Sequence, residues 1–165
     1  DRYGPDRSLS VHELYELTGT LGQGGFGTVH AARHRRTGEV VAIKSIPNQN
    51  VAQAETLQLE VEFLKVADHP NVIRYYEAFE DSESLHLVME LCSGGVLSQH
   101  IKDAHATVEA LGICESDLAR IMMQLLRSVA YCHAHSIVHR DLKPANFIFG
   151  CGSPQGGSLI PIACS

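Results

Sequence analysis

The chain has 165 residues, of which 44% are hydrophobic and 19% are charged. That balance is typical of a folded globular domain and excludes an intrinsically disordered chain. The net charge is −6 and no apolar run is long enough to span a bilayer, so neither nucleic-acid binding nor a transmembrane segment is expected. The five cysteines are scattered without a C-x-x-C pair, which indicates reduced thiols and an intracellular, cytoplasmic protein.

A glycine-rich segment follows the first predicted strand. Residues 14–21 alternate apolar and polar side chains and run into Gly22-Gln-Gly-Gly-Phe-Gly-Thr-Val29, whose spacing is G-x-G-x-x-G-x-V. Glycine lets backbone N–H groups approach phosphate oxygens closely, because no Cβ stands in the way. Dinucleotide-binding folds use a similar string, but there the glycines open a helix. Here 28–34 predicts a second strand and 35–38 a turn into a third, so the pattern favours a phosphate-binding loop between strands.

The third predicted strand, 39–46, carries a lysine near the end of its apolar run, Lys44. The next stretch, 53–67, has apolar residues at helical spacing and is predicted to be a helix. Glu60 shares the inward face of that helix. A buried carboxylate is costly unless it is paired, so Glu60 needs a cationic partner. The rival candidates on the same helix are Glu55 and Glu62.

Two further strands are predicted at 72–79 and 84–90, joined by an acidic turn. Ser116 is the predicted N-cap of a helix whose apolar stripe reaches His135. That helix delivers the chain to His139-Arg-Asp-Leu-Lys-Pro-Ala-Asn146, the most informative segment of the sequence.

The string H-R-D-L-K-P-x-N at 139–146, with the glycine-rich loop and the V-A-I-K of the third strand, resembles the protein kinase family, serine/threonine type, over about 12–149. The resemblance implies an α+β fold, with a five-stranded antiparallel N-lobe and helix C, then the first helices and the catalytic loop of a helical C-lobe. It implies ATP and Mg²⁺ as cofactors and a protein Ser or Thr hydroxyl as the acceptor. Asp141 would accept the hydroxyl proton, Lys143 would meet the γ-phosphate, and Asn146 would bind Mg²⁺.

The resemblance also assigns the nucleotide-binding residues. Lys44 would contact the α- and β-phosphates and pair with Glu60 of helix C. Met89 would be the gatekeeper, and the backbone groups of Glu90 and Cys92 would hydrogen-bond adenine. Ala42 and Val29 would pack on the adenine face. The predicted phosphate-binding loop comprises Leu21, Gly22, Gln23, Gly24, Gly25, Phe26, Gly27, Thr28 and Val29.

Several segments, such as 75–81 and 90–95, most resemble the calcium/calmodulin-dependent and calcium-dependent kinases. No EF-hand loop of the form D-x-[DN]-x-[DN]-G occurs, so calcium or calmodulin control is expected only through sequence missing from this chain. The predicted domains are an N-terminal extension (1–13), a partial kinase domain (14–149) and a divergent tail (150–165). Within the kinase domain the N-lobe is about 14–91 and the start of the C-lobe about 92–149.

The region after the catalytic loop departs from the family pattern. A kinase carries the metal-binding Asp of a D-F-G motif a short way downstream, yet 147–165 contains neither Asp nor Glu. Pro161 is expected to suit neither a central strand nor that motif. The hypothesis is therefore a truncated or misread gene product, with the break near residue 150, no kinase activity as written, and an exposed apolar face on the helix from Leu118. The alternatives are a pseudokinase-like nucleotide-binding or scaffold module and a non-functional fragment.

Overall fold

The computed structural model describes residues 10–24, 27–48, 61–106, 114–139, 141–150 and 158–161. The chain divides into two compact units. The first unit comprises 1–58 and 74–91, and the second comprises 59–73 and 92–165. Within the described residues, no helix combines the length and the apolar character needed to cross a membrane.

The first unit is built on a five-stranded antiparallel sheet in the order β1-β2-β3-β5-β4. A four-residue helix, α1 (Val11–Leu14), precedes it and was not predicted from the sequence. The predicted five-stranded sheet is confirmed, although β4 begins three residues later than the predicted start at residue 72. The strands are β1 (Tyr15–Gly24), β2 (Gly27–His34), β3 (Val40–Pro47), β4 (Tyr75–Glu80) and β5 (Ser84–Glu90).

The core of this unit begins within the segment predicted to be an extension. Val11 is buried against Tyr15 and the inward-facing residues of the central strands. The Tyr15 hydroxyl donates a hydrogen bond of 2.6 Å to Glu77 Oε1, which satisfies the one polar atom of a side chain that is otherwise buried. The remaining buried members of the cluster are Ala32, Val41, Ile43 and Val88.

The second unit is mostly helical and ends in a short hairpin. Its core combines α3, α4 and both strands of the hairpin, with Phe147, Phe149 and Leu159 completely buried. The elements are α2 (described over 61–66), α3 (Leu97–Ala106), α4 (Glu115–Ala134), a 3₁₀ turn (Pro144–Asn146), β6 (Phe147–Phe149) and β7 (Leu159–Pro161).

One expectation about the second unit needs correction. Cys114, not Ser116, is the N-cap of α4; its backbone is extended, and its thiol lies 3.1 Å from Asp117 Oδ2. Pro161, which was expected not to suit a central strand, lies in the short strand β7, where it pairs with Phe147. Both strands of a two-stranded ladder are edge strands, so a proline at a strand end removes no necessary hydrogen bond.

Residues 59–73, predicted as part of the N-lobe, belong to the second compact unit. The backbone N–H of Asp68 donates to the Tyr131 hydroxyl at 3.0 Å. His69 stacks on the Tyr131 ring at 4.8 Å, and Phe63 contacts the same ring at 6.1 Å. These contacts join the end of α2 and the loop after it to α4.

The predicted exposed apolar face on α4 is confirmed. Leu118, Met122, Met123 and Leu126 are each between 43% and 56% exposed. These four residues are called the α4 apolar surface below. An uncovered apolar patch of this kind favours self-association.

Replacing Leu126 with lysine should therefore weaken self-association without unfolding the chain. The side chain is already 56% exposed, so we expect the free energy of unfolding to change by no more than about 0.5 kcal/mol. Sedimentation velocity over a concentration series measures the association. Val138→Lys is the matched control, since Val138 is equally exposed but lies outside α4. Equal effects of the two variants would contradict the prediction.

The turn between β4 and β5 is held by one carboxylate. Asp81 Oδ1 accepts hydrogen bonds of 2.8 Å from the backbone N–H groups of Glu83 and Ser84, and Oδ2 lies 3.0 Å from His86 Nε2. His86 is buried, and its Nδ1 lies 2.9 Å from the Ser45 hydroxyl on β3. The hydrogen bond from His86, followed by those from the two backbone groups, lowers the pKa of Asp81 to about 2.

The turn should consequently be acid-sensitive through Asp81. Because the pKa of Asp81 is depressed from 3.8 to about 2, the stabilisation is fully present above pH 4 and is lost as the pH falls toward 2. Asp81→Asn should lower Tm at pH 5. The difference in Tm between the variant and the wild type should shrink as the pH is lowered from about 4 to about 3. Thermal melts followed by circular dichroism measure this. Glu83→Gln in the same turn is the control, and a difference that stays constant with pH would refute the assignment.

Candidate active site

The glycine-rich segment forms the hairpin of β1 and β2. The two strands remain paired up to Gly24 and Gly27, and the predicted loop residues Gly25 and Phe26 lie outside the described residues. Leu21 is exposed on this hairpin, and Gln23 pairs with Thr28.

The glycines of this hairpin differ in what surrounds them. A Cβ added to Gly22 or Gly24 would meet no protein atom within 4 Å. Gly27 has φ +135°, and a Cβ there would collide with the carbonyl oxygen of Ser45. The first two positions are therefore open to a ligand, whereas the third is required by the close approach of β3.

Lys44 lies on the central part of the same sheet. It is half-buried on β3, opposite Val29 of β2 on one side and Leu87 of β5 on the other. Ala42, two residues earlier on β3, is buried and pairs with Met89 of β5. The predicted residues Val29, Ala42, Lys44 and Met89 are thus brought onto three neighbouring strands of one sheet.

The end of β5 is anchored by Glu90. Its carboxylate accepts a hydrogen bond of 2.9 Å from the backbone N–H of Arg74, and its own N–H donates to the Arg74 carbonyl at 2.9 Å. Cys92 is half-buried and is the first residue of the second segment, 92–165, of the second unit. Glu60, the predicted partner of Lys44, lies outside the described residues, so that ion pair remains a prediction.

In the second unit, Asp141, Lys143 and Asn146 are in direct contact. Lys143 Nζ lies 2.6 Å from Asp141 Oδ2. Asn146 Nδ2 donates to the same carboxylate oxygen at 2.8 Å and to the Asp141 backbone carbonyl at 2.9 Å. The 3₁₀ turn that begins at Pro144 lies between Asp141 and the Asn146 amide, and it brings the two side chains together.

The electrostatics of this loop favour an ionised Asp141. The hydrogen bonds from Lys143 and then Asn146 lower the pKa of Asp141, because both stabilise the carboxylate form. His139, by contrast, is buried and stacks on Phe147 at 5.7 Å. Burial lowers the pKa of His139, which favours the neutral imidazole near pH 7.

The loop is attached to a hairpin whose strands are mostly buried. Asn146 is followed at once by β6, whose Phe147 and Phe149 are completely buried and whose partner is β7. On its other side, Phe149 donates its N–H to the Gly95 carbonyl at 2.9 Å and accepts from the Gly94 N–H at 3.0 Å. Exposed polar side chains are thus carried on a rigid apolar support.

Sequence reasoning missed the polar contacts that hold this support. His100 Nε2 lies 2.6 Å from the Gly94 carbonyl, and its ring packs edge-on against Phe149 at 5.0 Å. Asn71 and Gln124 contact β7 from the opposite side. The contact of Gln124 could have been anticipated, because Gln124 is a polar residue next to the buried face of α4 on which Ile121 lies.

Comparison with known proteins gives a consistent result. A family model described as "Protein kinase domain" matches residues 15–154. The chain is 41% identical to calcium-dependent protein kinase 5 of Plasmodium berghei, over 84% of this chain and 24% of that protein. It is 44% identical to sperm motility kinase 2A of Mus musculus, over 84% of this chain and 26% of that protein. It is 38% identical to CDPK-related kinase 1 of Arabidopsis thaliana, over 89% of this chain and 26% of that protein.

The chain therefore spans about a quarter of the length of the curated relatives that it matches. The family model covers most of the chain, and it includes both the glycine-rich hairpin and the loop that carries Asp141. The motifs, the five-stranded sheet and these similarities agree, and the chain belongs to the protein kinase family.

Proposed function

We propose that this chain is the ATP-binding and catalytic-loop part of a serine/threonine protein kinase, which transfers a phosphoryl group from MgATP to a protein hydroxyl. The observation that carries the proposal is the contact among Asp141, Lys143 and Asn146 on a buried hairpin. Catalysis of phosphoryl transfer is mainly positioning and charge stabilisation, so a pre-arranged carboxylate, ammonium and amide suit it.

Asp141 would act on the acceptor hydroxyl. Its lowered pKa favours the carboxylate at neutral pH, and that form can accept the hydroxyl proton. Lys143 would turn from Asp141 to the transferred phosphate. Both side chains are 54% exposed, so breaking their ion pair costs little.

The choice of Ser and Thr over Tyr as acceptor is supported by the loop sequence and by the relatives. Lys143 and Pro144 follow Asp141 as in serine/threonine kinases, which the chain resembles there. The names of the relatives include calcium-dependent and CDPK-related kinases. Any calcium control would act through sequence missing from this chain, because its 165 residues contain no EF-hand loop.

An intracellular location is proposed because the cosubstrate is ATP.

The nucleotide would be bound by the first unit. The open space at Gly22 and Gly24 is the fit expected of a loop that approaches phosphate oxygens. Lys44 would supply positive charge to the phosphates, and the buried pair Ala42 and Met89 would give the base an apolar contact.

Asn146 would be a ligand of Mg²⁺. Its Nδ2 is used in the hydrogen bonds to Asp141, which leaves Oδ1 as the oxygen ligand that Mg²⁺ prefers. The bound ion would supply charge stabilisation to the phosphates. Residues 147–165 include no Asp or Glu to serve as the second ligand. The 165 residues alone are therefore proposed to bind nucleotide without transferring phosphate.

Substitution of Lys44 should separate nucleotide binding from general charge effects. Lys44→Met is expected to weaken binding of a fluorescent ATP analogue by about tenfold, since one charge contact to the phosphates is lost. Fluorescence titration in the presence of Mg²⁺ measures the Kd. Lys65→Met is the control, because Lys65 is an exposed lysine that pairs with Glu62. Similar Kd values for both variants would argue against the proposed role of Lys44.

The transfer reaction itself provides a second test. The purified 165-residue polypeptide, incubated with radiolabelled MgATP and a Ser/Thr peptide, should incorporate no more label than its Asp141→Ala variant. The physical reason is the missing second carboxylate for the metal. Label incorporation that Asp141→Ala abolishes would show that these residues suffice for catalysis.

A further inference from the structure

A closed polar network lies beside β7, away from the catalytic loop. Asn71 Nδ2 donates to Gln124 Oε1 at 2.9 Å and to the Leu159 carbonyl at 3.2 Å. The Leu159 N–H donates to the same Gln124 oxygen at 2.7 Å. Two side chains, one from the loop after α2 and one from α4, thus bind both backbone polar groups of one strand residue.

The network is matched in donors and acceptors. Gln124 Oε1 accepts from two donors, and the two protons of Asn71 Nδ2 each have an acceptor. Asn71 is buried, with 4% of its surface exposed, so leaving its amide unpaired would be costly. A buried amide whose two N–H protons are both paired favours one arrangement of the elements that it joins.

These contacts occupy the outer edge of β7. The other edge of the hairpin is occupied in the same way, because the Phe149 N–H and carbonyl bond to Gly95 and Gly94. Phe149 and Leu159 face each other across the ladder. The hairpin is therefore held from both sides, and it leaves little freedom for β6 to slide.

His69 orients Asn71. The Asn71 backbone N–H donates to His69 Nδ1 at 3.1 Å, so that nitrogen must be unprotonated in this arrangement. The His69 ring is stacked on Tyr131 of α4 at 4.8 Å. The loop carrying Asn71 is therefore anchored to the same helix that carries Gln124.

We propose that Asn71 and Gln124 are positioning residues, which hold β7 and through it fix β6 and the contact of Asn146 with Asp141. Asn146 directly precedes β6, so a shift of that strand moves its amide away from the carboxylate. That the loop carrying Asp141 and Asn146 takes part in catalysis rests on the proposed function. The positioning itself is a property of the nucleotide-free chain, so the two proposals can fail separately.

The test compares two substitutions of Gln124 in the ¹⁵N-labelled chain. Gln124→Met keeps the size but removes the acceptor, whereas Gln124→Glu keeps an oxygen that can accept both hydrogen bonds. In Gln124→Met we expect hydrogen exchange at the Leu159 amide to be about tenfold faster, and the Asn146 side-chain amide resonances to shift toward those of a solvent-exposed amide. Gln124→Glu should retain both wild-type signatures.

Stability alone must not explain the result, so Ile121→Val serves as the matched control. It trims the same helix and core cluster but removes no hydrogen-bonding group of the network. It should lower Tm while leaving the Asn146 resonances unchanged. Unchanged Asn146 resonances in Gln124→Met, or an equal shift in Ile121→Val, would overturn the proposal. If Gln124→Met is too unstable for its spectrum to be recorded, Asn71→Asp tests the same proposal. It places a carboxylate against the Gln124 and Leu159 oxygens that accept hydrogen bonds from Asn71.

Discussion

The arrangement of the second unit depends on how an exposed polar loop is joined to a buried strand. Asp141, Lys143 and Asn146 are solvent-facing and hold each other by short charged contacts. Such contacts are weak at a surface and would not by themselves maintain one geometry. The next residue, Phe147, is completely buried, and the hairpin that it begins is packed among α3 and α4. The apolar core therefore supplies the rigidity that the polar loop lacks.

Much of the first unit followed from local pattern. Alternating apolar residues and turn signals predicted five strands, and β5 has the predicted bounds Ser84–Glu90. The resemblance of 139–146 to the kinase catalytic loop singled out Asp141 and Asn146, and the structure brings their side chains into contact. The arrangement of residues that are close in sequence can be predicted, because one turn or one strand register sets their geometry.

What the sequence could not supply is contact between distant segments. Asn71 and Leu159 are 88 residues apart, and no local pattern links them. That Pro161 can lie in a strand has a related cause. A proline excludes a central strand, but the number of neighbours that a strand has is a tertiary property. The grouping of 59–73 with the second unit also depends on ring contacts with Tyr131 that only the folded chain reveals.

The three glycines of the G-x-G-x-x-G string are not equivalent, and this has a consequence for genetics. Gly22 and Gly24 face open space, whereas Gly27 lies against the backbone of Ser45, the neighbour of Lys44 in β3. Loss-of-function alleles in this loop should therefore fall into two phenotypic groups. Alleles at the first two glycines would leave a normally abundant protein that lacks only the proposed nucleotide binding, and alleles at the third would reduce the abundance of the protein itself.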